Sequence, residues 1–117
     1  MTAVQQIESL LEDAPMPVRF DRAGEPRRIP PVVGRGAYRV VRDALEAAPC
    51  ATAASVALEF VPGALVVQVD HDCRCTLDLE ELEALAAALG GGINGKRNPG
   101  GFRVRAWLPT EGQPPSP

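Results

Sequence analysis

The sequence predicts an α/β (α+β) two-layer sandwich: a mixed, largely antiparallel sheet with helices on one face. Three observations predict it. Three segments repeat apolar residues every three or four positions, the pattern of a helix with one buried side. Strand-like segments alternate apolar and polar residues and come in pairs across turn residues. The order is helix, strand, helix, hairpin, helix, hairpin, and a sheet covered on one side by helices buries every apolar face that this order creates.

The elements follow in chain order. Residues 2–14 read as a short amphipathic helix with Val4, Ile7, Leu10 and Leu11 on one side, stopped by Pro15 and Pro17. Val18 and Phe20 alternate with Arg19 as a weak strand. Residues 21–31, with Gly24, Pro26, Pro30 and Pro31 among Arg22, Arg27 and Arg28, read as a loop. Pro31 suits the first turn of the next helix. That helix, 32–48, carries Val33, Ala37, Val40, Val41, Ala44, Leu45 and Ala48, and Pro49 ends it. Residues 55–61 and 65–69 form a hairpin around Pro62-Gly63. A polar connection covers 70–77. Asp78 is the expected N-cap of the last helix, with Glu81 as its capping-box partner. The helix runs to Leu89, where Gly90-Gly91-Gly92 terminates it. A short strand near 93–96 turns at Asn98-Pro99-Gly100-Gly101 into the last strand. There Phe102, Val104, Ala106 and Leu108 share one face, and Arg103, Arg105 and Trp107 the other.

Composition narrows the function classes. The chain has 117 residues, 45% hydrophobic and 23% charged, which is the range of one soluble globular domain. Its net charge is -3 and Lys96 is its single lysine, so no general electrostatic attraction to nucleic acid exists. No apolar run is long enough to span a membrane, and the N-terminus lacks a basic, apolar leader pattern. A cytosolic protein is the expectation. Three cysteines imply no disulfide framework, and Cys50 reads as a small buried apolar residue. His71, Cys73 and Cys75 lie close together, but not at a known zinc-finger spacing, so no metal is expected. Cys73 and Cys75 could pair only through a strained ring, and reduced thiols in an exposed loop are expected instead.

Three segments in order carry a family resemblance. Tyr38-Arg39-Val40-Val41-Arg42-Asp43-Ala44-Leu45 resembles the start of the N-box helix of bacterial sensor histidine kinases. Leu65-Val66-Val67-Gln68-Val69 is similar to the strand that enters their D-x-G box. Ala87-Ala88-Leu89-Gly90-Gly91, followed by Gly100-Gly101-Phe102-Arg103-Val104-Arg105-Ala106-Trp107-Leu108-Pro109, resembles their closing segment. Residues 15–109 thus resemble the C-terminal ATPase domain (GHKL, Bergerat fold), in degenerate form. Residues 1–14 precede it as a helix, and 110–117 follow as a Pro-rich, disordered tail.

The resemblance implies a nucleotide pocket between helices and sheet, and says where its chemistry has changed. Ala47 stands at the Mg-ligating Asn of the N-box, and a methyl group ligates nothing. Asp43 stands at the N-box acid. Cys50 and Ala51 replace the basic and His residues that follow the Asn. The Asp of the D-x-G box falls on His71 and its Gly on Cys73; a one-residue slip would put Asp70 or Asp72 at the Asp. Asp78 and Glu81 replace two glycines of the box ahead of the last helix. Together with Glu80 they set negative charge against a polyphosphate. The lid is reduced to residues around Arg74 to Leu77.

The implied function is a non-catalytic protein-binding or regulatory module in two-component-type signalling, with no catalytic residue and no bound ATP or Mg. Its partners would be a sensor kinase, a response regulator or a second copy. The competing implication is a divergent ATP-binding subunit of a split sensor kinase. It would keep weak nucleotide recognition through Asp43 and one of Asp70 or Asp72. Two surface features could serve contacts: the basic stretch Arg22, Arg27, Arg28 and Arg35, which suits an acidic partner, and the Arg103, Arg105 and Trp107 face.

Overall fold

The structure is a computed structural model that describes residues 2–74 and 78–110. Its elements are α1 (Ala3–Glu12), β1 (Val18–Ala23), α2 (Pro31–Glu46), β2 (Ala54–Val61), β3 (Ala64–His71), α3 (Glu80–Ala88), β4 (Gly92–Asn98) and β5 (Gly101–Pro109). The strands form one sheet in the order β1-β2-β3-β5-β4. Every neighbouring pair is antiparallel except β1 and β2, which run parallel from Val18 beside Ala54 to Ala23 beside Glu59. A parallel pair needs a crossover, and α2 supplies it. The expected mixed sheet with one helical layer is the observed architecture.

Local chemistry explains the joints. Thr2 and Gln5 form a capping box at the start of α1. α1 ends at Glu12, ahead of the prolines, with Asp13 as its C-cap. Pro31 opens α2 at a position where its missing N–H costs nothing. Pro62-Gly63 closes the β2–β3 hairpin, with Gly63 at φ 76. At the end of α3, Gly91 N donates to Ala86 O (2.8 Å) and Gly90 N to Ala87 O (3.0 Å). Gly90 has φ 84, and this is the Schellman arrangement. Asn98 Oδ1 accepts from Gly100 N (3.1 Å) and shapes the last turn.

The core lies between the helices and one sheet face. Ile7 and Leu11 of α1, Val33, Ala37, Val40, Val41 and Ala44 of α2, and Leu82 and Ala86 of α3 meet Val56, Leu58, Leu65, Val67, Val69, Val104, Ala106 and Leu108 of the sheet. Burial of this kind stabilises by about 25 cal/mol per Å² of apolar surface. The period-two pattern of β5 places Phe102, Val104, Ala106 and Leu108 inward and Arg103, Arg105 and Trp107 outward. On the outer face Asp70 accepts from Arg103 Nε (2.7 Å), and Gln68 Oε1 accepts from Arg105 (3.0 Å).

Four expectations change. β1 continues to Ala23, so residues 21–23 are strand, not loop. β3 continues to His71, so the polar connection begins at Asp72. The last helix begins at Glu80, with Leu79 at its N-cap position. Cys50 is exposed and bonded to Cys73, with Cα atoms 5.3 Å apart. Of the tail, Thr110 donates from N to Gly63 O (2.9 Å), and 111–117 lie outside the described residues.

Candidate functional site

The crevice implied by the resemblance lies where the last turn of α2, the end of β3 and the start of α3 converge. Helical geometry places Asp43 and Ala47 one turn apart on the same side of α2. Ala47 is the C-cap, its N–H bonded to Asp43 O (3.0 Å). The chain then turns through Pro49 to Cys50, and the Cys50–Cys73 disulfide joins this turn to the segment after β3. Cys73 is 1% exposed. The disulfide therefore ties the turn after α2 to the segment after β3 at this end of the molecule.

The carboxylates are committed to neighbours. Asp43 accepts from Arg39 Nε (3.4 Å) and Arg42 Nε (3.2 Å), so both of its oxygens are engaged. Arg39 also donates from Nη2 to Glu81 Oε2 (3.1 Å) and so lashes α2 to α3. The Glu81 side chain is 82% exposed, which makes this lash worth under about 1 kcal/mol. It directs Glu81 away from the capping box. Asp78 Oδ1 accepts from Glu80 N (3.0 Å), so the expected capping by Asp78 occurs one residue early, without its reciprocal partner. Leu79 and Phe102 meet above Gly95, where a Cβ would lie 2.7 Å from each side chain. That packing sets where α3 starts.

The three candidates for the adenine-binding position separate. His71 is on the inner face, 7% exposed, stacked on Phe102 with ring centroids 6.2 Å apart. Its Nδ1 accepts from Cys73 N (3.2 Å). Asp70 faces the other side of the sheet and accepts from Arg103 and Gln68. Asp72 is exposed and accepts from Thr52 N (2.7 Å), Thr52 Oγ1 and Ala53 N (3.4 Å), tying β3 to the start of β2. The crevice thus receives a buried imidazole where the family pattern has a carboxylate.

Burial pushes the His71 imidazole below its ordinary value of 6.5, against the opposing pull of Asp72 and Asp70. The hydrogen bonds from Thr52 hold Asp72 below its ordinary 3.8. For His71 the unfolded chain takes up its proton first as pH falls. Its contribution is therefore fully present above 6.5 and is lost as pH drops through 6.5 towards the lower folded value. The Asp72 contribution is present above 3.8 and is lost as pH drops through its own folded value. The expected result is a urea midpoint that falls between about pH 7.5 and about pH 5.5 in the native chain, and falls less in His71→Gln. Equal slopes in the two proteins would refute the assignment.

Against the family pattern for Mg-ATP, Ala47 offers no oxygen, Asp43 is held by two guanidinium groups, and Cys73, where the pattern needs a glycine, is bonded to Cys50. No three His, Cys, Asp or Glu side chains converge on a metal position among the described residues. The bond to Cys50 also removes Cys73 from the zinc and Cys73/Cys75 pairings, and Cys75, with Thr76 and Leu77 of the lid, lies outside the described residues. Sequence reasoning missed Arg39, Thr52 and the disulfide. The disulfide had a signal: its two cysteines stand at the N-box and D-x-G positions, which flank one pocket.

Neither a family profile nor any curated protein matches the sequence. Solved structures do match. A blue-light-activated histidine kinase of Erythrobacter litoralis aligns over 94% of this chain and 41% of its own, with a TM-score of 0.66 at 19% identity. The Acinetobacter baumannii histidine kinase AdeS aligns over 94% and 62%, with a TM-score of 0.67 at 12% identity. The ATP-binding domain of PrrB from Mycobacterium tuberculosis aligns over 96% of both chains, with a TM-score of 0.67 at 16% identity. The fold is that of a histidine-kinase ATP-binding domain. This chain spans less than two thirds of the length of the first two kinases, and nearly all of the isolated PrrB domain. Within this fold, the disulfide joins the turn after α2 to the segment after β3. No helix among the described residues is long and apolar enough to cross a membrane.

Proposed function

We propose that this chain is a non-catalytic version of the kinase ATPase fold that acts as a protein-binding or regulatory module in two-component-type signalling. Its partner is a sensor kinase, a response regulator or a second copy. The observation that carries the reading is Ala47 at the N-box position, with Cys73, at the D-x-G glycine position, bonded to Cys50 in the turn after α2. A nucleotide would find no metal ligand at the N-box and a cysteine side chain, fixed by its bond to Cys50, where the family pattern has a glycine. What remains is a surface of kinase shape, suited to competing with a true kinase domain for contacts.

One observation favours the second reading, an ATP-binding subunit of a split kinase. Asp43 and Asp72 keep carboxylates at or beside the family positions, and a disulfide is reversible. Calorimetric titration with Mg-ATP, in oxidised and in reduced protein, separates the two. The module reading expects no saturable heat in either state up to about 1 mM nucleotide. Saturable binding in the oxidised protein sinks it outright. Binding that emerges only on reduction replaces it with a redox-gated ATP-binding subunit.

A further inference from the structure

At the opposite end of α2 from the crevice, a groove of about 1040 Å³ opens between α1, the segment after β1 and the first turns of α2. Residues that are scattered in the sequence meet there. Arg22, Arg27, Arg28 and Arg35 line it, against a single acid, Glu8. Arg22 reaches Glu8 at 4.0 Å. Arg28 and Arg35 are exposed and have no ion-pair partner among the described residues. The chain as a whole carries -3, so this positive charge is local and runs against the mean. Between the arginines the accessible apolar lining comes from half-buried Val4 and Ile29, with Phe60 largely covered.

We propose that this groove binds an acidic peptide segment of a partner protein, one that alternates carboxylates with aliphatic side chains. Planar guanidinium forks suit carboxylates, and the apolar lining gives the intervening side chains a dry seat. The volume suits a short stretch of chain better than one small anion. Nucleic acid fits less well. The molecule is net negative, and Phe60 is only 9% exposed, so it offers no stacking platform to a base. The inference deepens the binding-module reading by naming the chemistry of the partner, and it can fail separately from it.

The test is fluorescence anisotropy of a labelled peptide of alternating Glu and Leu, with an all-Glu peptide and a short duplex DNA as comparisons. The native chain is expected to bind the Glu/Leu peptide most tightly, and more weakly as salt rises from about 50 to about 300 mM. The double charge reversal Arg28→Glu/Arg35→Glu is expected to lower that affinity at least about tenfold. Glu80→Gln/Glu81→Gln/Glu83→Gln, at the far end of the molecule, is expected to change it less than about twofold. Both Arg positions are exposed, and a matching far-UV spectrum establishes that the reversed variant folds. Absence of peptide binding, an unchanged affinity after reversal, or duplex DNA binding as tightly as peptide each overturns the proposal. So does self-association that both variants abolish, because the occupant would then be a second copy docking through its acidic helix. Mg-ATP binding that survives the arginine reversal would sink the non-catalytic reading and leave the groove assignment standing.

Discussion

Breaking the Cys50–Cys73 bond lowers stability by about 3 kcal/mol. The two residues are 23 apart in sequence, and closing a loop of that size in the unfolded chain removes entropy worth roughly that amount. For a domain of this size the thermal midpoint falls by on the order of 10 °C. Two routes must agree: reductant on the native chain, and Cys50→Ala without reductant. Cys50 is exposed, so its truncation leaves no cavity, whereas Cys73 keeps its buried sulfur as packing. Urea unfolding with and without reductant gives the measurement, and an unchanged midpoint in both routes would show that the bond carries no stability. The result also bears on compartment. Reducing compartments break bonds of this kind, so a chain that depends on it is poised either for an oxidising location or for redox control.

The fold was legible where the determinants were local. Pro62-Gly63 marked its hairpin, Gly90-Gly91 marked the end of α3, and the alternation from Phe102 to Leu108 assigned both faces of β5. Reading failed where a distant residue decides. Asp78 and Glu81 have capping-box spacing, yet Leu79 must pack beside Phe102 over Gly95, and Arg39, 42 positions away, takes the Glu81 carboxylate. β1 runs on through Arg22 because it is an edge strand whose partner β2 continues beside it, which no periodicity within residues 21–23 could reveal. At the crevice, the substitutions at Ala47, His71 and Cys73 were visible through the resemblance alone, while their consequence was not. A lone buried-cysteine pattern fits Cys50 until its partner is known to lie 5.3 Å away. The groove was half legible: the arginines were visible as a run, but their convergence with α1 on an apolar floor is a tertiary fact.

Leu82→Ala lowers stability by about 3 kcal/mol and loosens α3 in particular. The helix spans 80–88, too short to persist in water without tertiary support. Its buried residues are Leu82, at 1% exposure, and Ala86, which is already small. Truncating Leu82 therefore removes most of the anchor, and a Leu→Ala change at a closed site costs about 2–5 kcal/mol. Leu85→Ala, at a half-buried position on the same helix, is expected to cost about 1 kcal/mol. Urea midpoints compare the two, and hydrogen exchange locates the effect: in Leu82→Ala the amides of α3 lose protection before those of β3 and β5. Equal costs for the two variants would mean that α3 is held by something other than its inward leucine. Combining Leu82→Ala with Cys50→Ala then asks whether the two sides of the crevice cooperate. The disulfide joins the turn after α2 to the segment after β3, while Leu82 joins α3 to the core, and independent sites add within about 0.5 kcal/mol. A larger coupling would make the crevice one cooperative unit, in which reducing the disulfide also frees the helix whose start stands where the family pattern binds phosphates.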